Sequence, residues 1–165
     1  METIRTRVLK MTSTELDELF RSSPAGAIPE GRGAGTVVFR PGTRRSVPSA
    51  VAARFLLWQG KEFRPATHDL VNLLTPFGRP GLRADVRHDA SLLDGNPCIV
   101  LDYAASSRVV RDVRDEMRQI GDRDYLGIVF VKGRQRSVDF LLSFATGAAR
   151  DSATPSPADS VPRQA

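Results

Sequence analysis

The hydrophobic positions of this chain change period along its length, and those changes divide it into segments. Leu16, Leu19 and Phe20 recur at helical spacing, with Glu15, Asp17, Glu18 and Arg21 on the opposite side. Thr12 followed by Glu15 fits a capping box, and Pro24 and Gly26 stop the run, so a short helix is predicted here. Thr36–Phe39 reads as a strand closed by Pro41-Gly42, and Pro48 opens a candidate second helix through Ala53 to Leu57. From Gln59 onward the pattern is one of short strands separated by turns. Residues 1–11 show no clear period and read as a flexible N-terminus. Residues 148–165 hold three prolines and several serines with almost nothing apolar, and read as a disordered tail. Residues 12–147 remain as a single domain.

The turns predict which residues share a face. Asp94-Gly95 is a two-residue hairpin signal that sets Val86 opposite Tyr103, His88 opposite Leu101 and Ala90 opposite Ile99. The other face of that hairpin pairs Arg87 with Asp102 and Asp89 with Val100. A turn at Gly121–Asp124 joins residues 110–120 to Tyr125–Val131, and a turn at Gly133-Arg134 leads on to Arg136–Phe144. Tight pairing sets Glu116 opposite Val129 and Arg118 opposite Gly127. Continued across, it sets Gly127 opposite Phe140, Tyr125 opposite Leu142 and Val129 opposite Val138. One face then collects Tyr125, Val129, Phe140 and Leu142 together with Arg114, Glu116 and Arg118. The reverse face, with Leu126, Ile128 and Phe130, suits the Leu16/Leu19/Phe20 helix or another subunit. Residues 109–120 admit a rival reading, because Val109, Val113, Met117 and Ile120 also make a helical stripe.

Three segments resemble the small lipocalin-like (calycin-type) bacterial barrels related to the GXWXG family. They are Trp58-Gln59-Gly60-Lys61-Glu62-Phe63, the Asp94-Gly95 turn into Cys98–Tyr103, and Tyr125-Leu126-Gly127. The family's own G-x-W-x-G is missing, since Gly31 to Gly35 contains no tryptophan. The resemblance spans residues 13 to 145. It implies a short helix ahead of an antiparallel barrel, and a charged strand in the penultimate hairpin that Arg114-Asp115-Glu116 would match. On that ground residues 109–120 are assigned to a strand. The expected fold is mainly β: an antiparallel up-and-down barrel of about eight strands with an N-terminal helix. The resemblance implies no particular activity, because such barrels serve carriers and enzymes alike.

Composition narrows the classes. Hydrophobic residues make up 41% and charged residues 26% of 165, an ordinary globular mixture. The longest apolar runs, such as Tyr125–Val131, are too short to span a bilayer, and the first ten residues lack an apolar signal core, so a cytoplasmic protein off the membrane is expected. The net charge is +5, but Arg and Asp alternate through residues 83–89 and 111–118, which cancels the field a nucleic acid would need. No nucleic-acid partner is expected. One cysteine, Cys98, excludes an internal disulfide framework. The GRGAG of residues 31–35 leads into a strand and carries no Lys-Ser/Thr, which argues against a phosphate loop. His68 and His88 lack carboxylate or cysteine partners at ligand spacing, so neither a metal nor any other cofactor is expected.

The expected ligand is a largely apolar small molecule held in the barrel, its polar end directed at Glu116, Arg118, Tyr125 and Tyr103. Glu116, Tyr103 and His88 are the candidate catalytic residues; Arg114, Arg118, Tyr125, Trp58 and Phe140 are the candidate ligand contacts. Glu116 between two arginines would serve as a base, and an interior tyrosine would polarise a carbonyl. Each has a plainer alternative. The Arg114/Glu116/Arg118 triplet suits an exposed strand or a structural salt network, His88 and the tyrosines suit a satisfied core, and Trp58 suits a plug. Cys98 falls on the face opposite His88, which argues against a Cys–His pair. The reaction that needs least is a cofactor-independent cyclisation or isomerisation of specialised metabolism. The alternatives are a non-catalytic intracellular carrier and a protein-interaction module built on the Leu126/Ile128/Phe130 face, in a monomer or homodimer.

Overall fold

Eight antiparallel strands follow one another around a closed barrel in chain order, in a computed structural model that describes residues 2–39, 58–74, 79–106, 110–133 and 135–145. The strands are β1 (Gly31–Val38), β2 (Trp58–Arg64), β3 (Asp69–Leu74), β4 (Arg79–Ala90), β5 (Pro97–Asp102), β6 (Val113–Gln119), β7 (Asp124–Val131) and β8 (Gln135–Phe144). Closure comes from β1 pairing with β8, from Gly33 opposite Phe144 to Val38 opposite Asp139. The expected mainly-β barrel is the observed one. The candidate helix at Pro48–Leu57, the Pro41-Gly42 stop and the tail from residue 148 lie outside the described residues.

Two apolar layers hold the molecule. The interior layer takes alternate residues of the strands: Phe63, Leu70, Ala84, Val86, Ile99, Leu101, Met117, Val129, Val138, Phe140 and Leu142 are all buried. The second layer is outside the barrel wall. There Leu126, Ile128, Phe130 and Leu141 meet Val8, Leu16 and Phe20 of two short helices, α1 (Ile4–Lys10) and α2 (Ser13–Ser22). The capping box read from the sequence is present, with Thr12 and Glu15 bonding each other's backbone N–H. Arg136 ties α2 to the wall, donating to Asp17 at 2.6 Å and to buried Asp139 at 2.8 Å. Residues 1–11 show no clear period in the sequence; in the structure Ile4–Lys10 is helical, with Val8 buried against the apolar outer face of the wall. The Leu126/Ile128/Phe130 face is therefore occupied by this chain's own helices.

The registers correct two expectations. In the β4–β5 hairpin Val86 faces Leu101 and His88 faces Ile99, two residues away from the expected pairing. Ser91 N donates to Asn96 O, so four residues close the loop instead of Asp94-Gly95 alone. An even shift preserves the face of every side chain. In the β6–β7 hairpin the shift is one residue, with Glu116 opposite Ile128 and Arg118 opposite Leu126. Both Ile120 N and Gly121 N donate to Asp124 O, which makes the loop one residue longer on one side. Because side chains alternate, this slip exchanges the two faces. Asp115 and Met117 enter the barrel, while Arg114, Glu116 and Arg118 leave it. The β7–β8 register is as expected, with Gly127 opposite Phe140 and Tyr125 opposite Leu142.

Candidate functional site

Three strand glycines let aromatic rings lie flat against the inner wall. A Cβ added at Gly35 would fall on the Trp58 ring, at Gly127 on the Phe140 ring, and at Gly33 on the Phe144 ring. Gly127 thus holds a ring rather than leaving open space. Trp58 and Phe140 pack edge to face at 5.6 Å between centroids, and Phe144 does the same with Phe63 and Tyr125, both at 5.7 Å. One end of the barrel is shut by Pro24–Glu30. Gln119 N donates to Pro24 O, His88 Nε2 lies 2.9 Å from Gly26 O, and the Tyr125 hydroxyl donates to Ala27 O. Burial pushes the Tyr125 phenol up, so it stays a donor.

Toward the other end, where β5 finishes and β6 begins, five polar side chains converge among these rings. The Lys61 ammonium, 2% exposed, donates to Tyr103 Oη at 2.6 Å, to Asn72 Oδ1 at 2.8 Å and to Asp115 Oδ2 at 2.8 Å. The Tyr103 hydroxyl donates to Asp115 Oδ2 at 3.0 Å. Asn72 Nδ2 donates to Tyr103 Oη and to Leu82 O, and Trp58 Nε1 donates to Asn72 Oδ1. Lys61 Nζ also stands 5.3–5.5 Å from the ring centroids of Trp58, Tyr103 and Phe140, an aromatic box for the cation. Gly60 makes this possible: its φ of +141° shifts the β2–β3 register between Trp58 and Gly60, and no Cβ would fit against Gly33 O. Trp58 and Lys61, three apart, thereby both face inward.

The bookkeeping of this network leaves one group over. Every polar atom of Lys61, Asn72 and Tyr103 has a partner, and so has Asp115 Oδ2, but buried Asp115 Oδ1 has none. Among the described residues, Lys61 and Asp115 are the charged members of this cluster, and they form a 2.8 Å ion pair.

The sequence-predicted residues fall into three groups. Tyr103, Trp58 and Phe140 join the interior cluster. His88 and Tyr125 sit at the closed end, bonded to the Pro24–Glu30 segment. Arg114, Glu116 and Arg118 are on the outer wall, against expectation, yet Glu116 and Arg118 are only 0% and 1% exposed. Glu116 accepts from Ser91 Oγ, Leu92 N and Arg114 Nε, and Arg118 forms a two-point pair with Asp94 while donating to Phe20 O, Arg21 O and Pro97 O. This fully paired network clamps α2 and the β4–β5 loop to the wall. Lys61 and Asp115 stood in the quoted motifs without an assigned role. The available signal was that Lys61 is one of only three lysines among 24 basic residues. Cys98 is buried, and burial pushes its thiol up to about 12, with Glu116 acting in the same direction, so it is no nucleophile. Among the described residues no His, Cys, Asp and Glu cluster suited to a metal ion exists, and no helix is long and apolar enough to cross a membrane.

Comparison with known proteins bears on the fold alone. No family model matches the chain, and no curated protein matches it. One solved structure does, the crystal structure of a protein from Thermomonospora curvata. It superposes with a TM-score of 0.61 at 20% identity, over 82% of this chain and 89% of that one. The fold is a calycin-like barrel.

Proposed function

We propose that the barrel interior binds a largely apolar small molecule whose polar hydrogen is accepted by Asp115 Oδ1. We further propose that this carboxylate moves a proton within that molecule, in a cofactor-independent cyclisation or isomerisation. A distant kinship with the GXWXG barrels, through Trp58–Phe63 and Tyr125–Gly127, belongs to the same proposal. The observation that carries the reading is the interior network with its single unpartnered carboxylate oxygen. Leaving a buried polar atom without a partner costs about 1–3 kcal/mol, and such atoms are rare in folded proteins, a catalytic or binding role being one reason they persist. The rings of Trp58, Tyr103 and Phe140 beside Lys61 would supply apolar contact, and Lys61 supplies the counter-charge. A proton taken up by Oδ1 from one atom of the ligand and returned to another leaves atoms and electrons balanced, with no oxidant or reductant.

The test uses Trp58, the one tryptophan of the chain, as reporter. Titration with N-phenyl-1-naphthylamine, a neutral apolar probe with one N–H, should quench Trp58 emission saturably at one probe per chain. A response that never saturates would overturn the reading. For any substrate the protein converts, Asp115→Asn should cut turnover by about two to four orders of magnitude. In a carrier the same substitution would change affinity, and neither form would turn anything over.

A further inference from the structure

We infer that the ligand of this interior site is electrically neutral and a hydrogen-bond donor (an alcohol, phenol or amide), and that the site discriminates against carboxylates and other anions. The inference rests on the small-molecule reading above and names its ligand class. An ammonium has three N–H bonds, and Lys61 has three acceptors at 2.6–2.8 Å, so it has no donor left for an anionic head group. The donors of Tyr103, Asn72 and Trp58 are likewise committed to Asp115, Tyr103, Leu82 and Asn72. What the network lacks is a donor to Asp115 Oδ1. Two negative groups in contact within an apolar wall repel strongly, because little water is present to screen them. The already balanced Lys61–Asp115 pair would also be left with an uncompensated charge. A neutral molecule that offers one O–H or N–H completes the network and leaves the Lys61–Asp115 pair balanced. The aromatic box adds to the selectivity by stabilising Lys61 where it stands, beside Asp115.

Three naphthalenes substituted at the same position separate the possibilities by isothermal titration calorimetry at pH 7: 2-naphthol, a neutral donor; 2-methoxynaphthalene, neutral without a donor; and 2-naphthoate, an anion. The expected result is that 2-naphthol binds about tenfold or more tightly than either of the others. Asp115→Asn should reverse the order between 2-naphthol and 2-naphthoate, because Lys61 then lacks a counter-charge. Binding of 2-naphthoate or 2-methoxynaphthalene to the unaltered protein as tightly as 2-naphthol would overturn the inference. So would failure of 2-naphthol to bind where N-phenyl-1-naphthylamine does, or an unchanged order in a folded Asp115→Asn variant. If that variant does not fold, the three-probe comparison on the unaltered protein decides alone. Absence of any saturable N-phenyl-1-naphthylamine binding is a different result, since it removes the small-molecule reading itself.

Discussion

Gly127 stands across the β7–β8 pair from Phe140, and the Phe140 ring occupies the place a Cβ would take. That ring is also one wall of the box around Lys61, so the smallest residue of the strand and the charged group of the site are mechanically connected. Gly127→Ala should therefore lower stability by about 1–3 kcal/mol through overpacking, read from urea unfolding. An unchanged midpoint would mean that Phe140 moves freely. Lys61 and Asp115 supply a sharper test. Removing the ammonium alone, as Lys61→Met, leaves a buried carboxylate without counter-charge and should cost about 3–5 kcal/mol. The double variant Lys61→Met/Asp115→Leu should be less damaged than the sum of the singles. A double-mutant cycle with no coupling would show that the pair is not energetically joined.

At the scale of elements, Arg118 holds three pieces together: the β6 wall, the end of α2 and the β4–β5 loop. Its partner Asp94 has a carboxyl held below the ordinary range, chiefly by the Arg118 hydrogen bonds, which outweigh the effect of burial. A lowered folded value means that this contribution is fully present above the unfolded carboxylate value, about 3.9, and is lost as pH falls through the lower folded value. Arg118→Met should cost about 3–5 kcal/mol near neutrality. The stability gap between the two proteins should narrow as pH drops below about 4. A gap independent of pH would mean that Asp94 does not use Arg118 in this way. Glu116→Gln keeps one acceptor for Ser91 and Leu92 but loses the charged bond to Arg114, so it should lower stability by about 1–3 kcal/mol. Because Glu116 is outside the wall, N-phenyl-1-naphthylamine affinity should not move.

For the whole molecule, the N-terminal residues finish both surfaces of the barrel. Helices α1 and α2 cover Leu126, Ile128, Phe130 and Leu141 on the outside, and Pro24–Glu30 shuts one end. Removal of residues 2–22 should uncover that apolar face and strip Arg118 of two carbonyl acceptors. Self-association by light scattering is the expected result. A monodisperse truncated protein would show that the helices are dispensable.

Much of this architecture is legible in the chain because it depends on neighbours in sequence. The α2 capping box, the alternation of Val129, Val138 and Phe140, and the Gly133 turn are local signals, and each gives the observed element or register. The closed barrel follows from many short strands with turns between them. Only the tertiary structure decided which face of β6 enters the barrel. The choice hangs on one residue of loop at Ile120–Asp124, where both Ile120 N and Gly121 N reach the same carbonyl, and a period of two turns that one residue into an exchange of faces. That exchange put Asp115 inside and Glu116 outside. The site itself was beyond local reading for a related reason: Lys61 meets Tyr103 and Asp115 across 42 and 54 residues of chain, and only barrel closure brings them into contact.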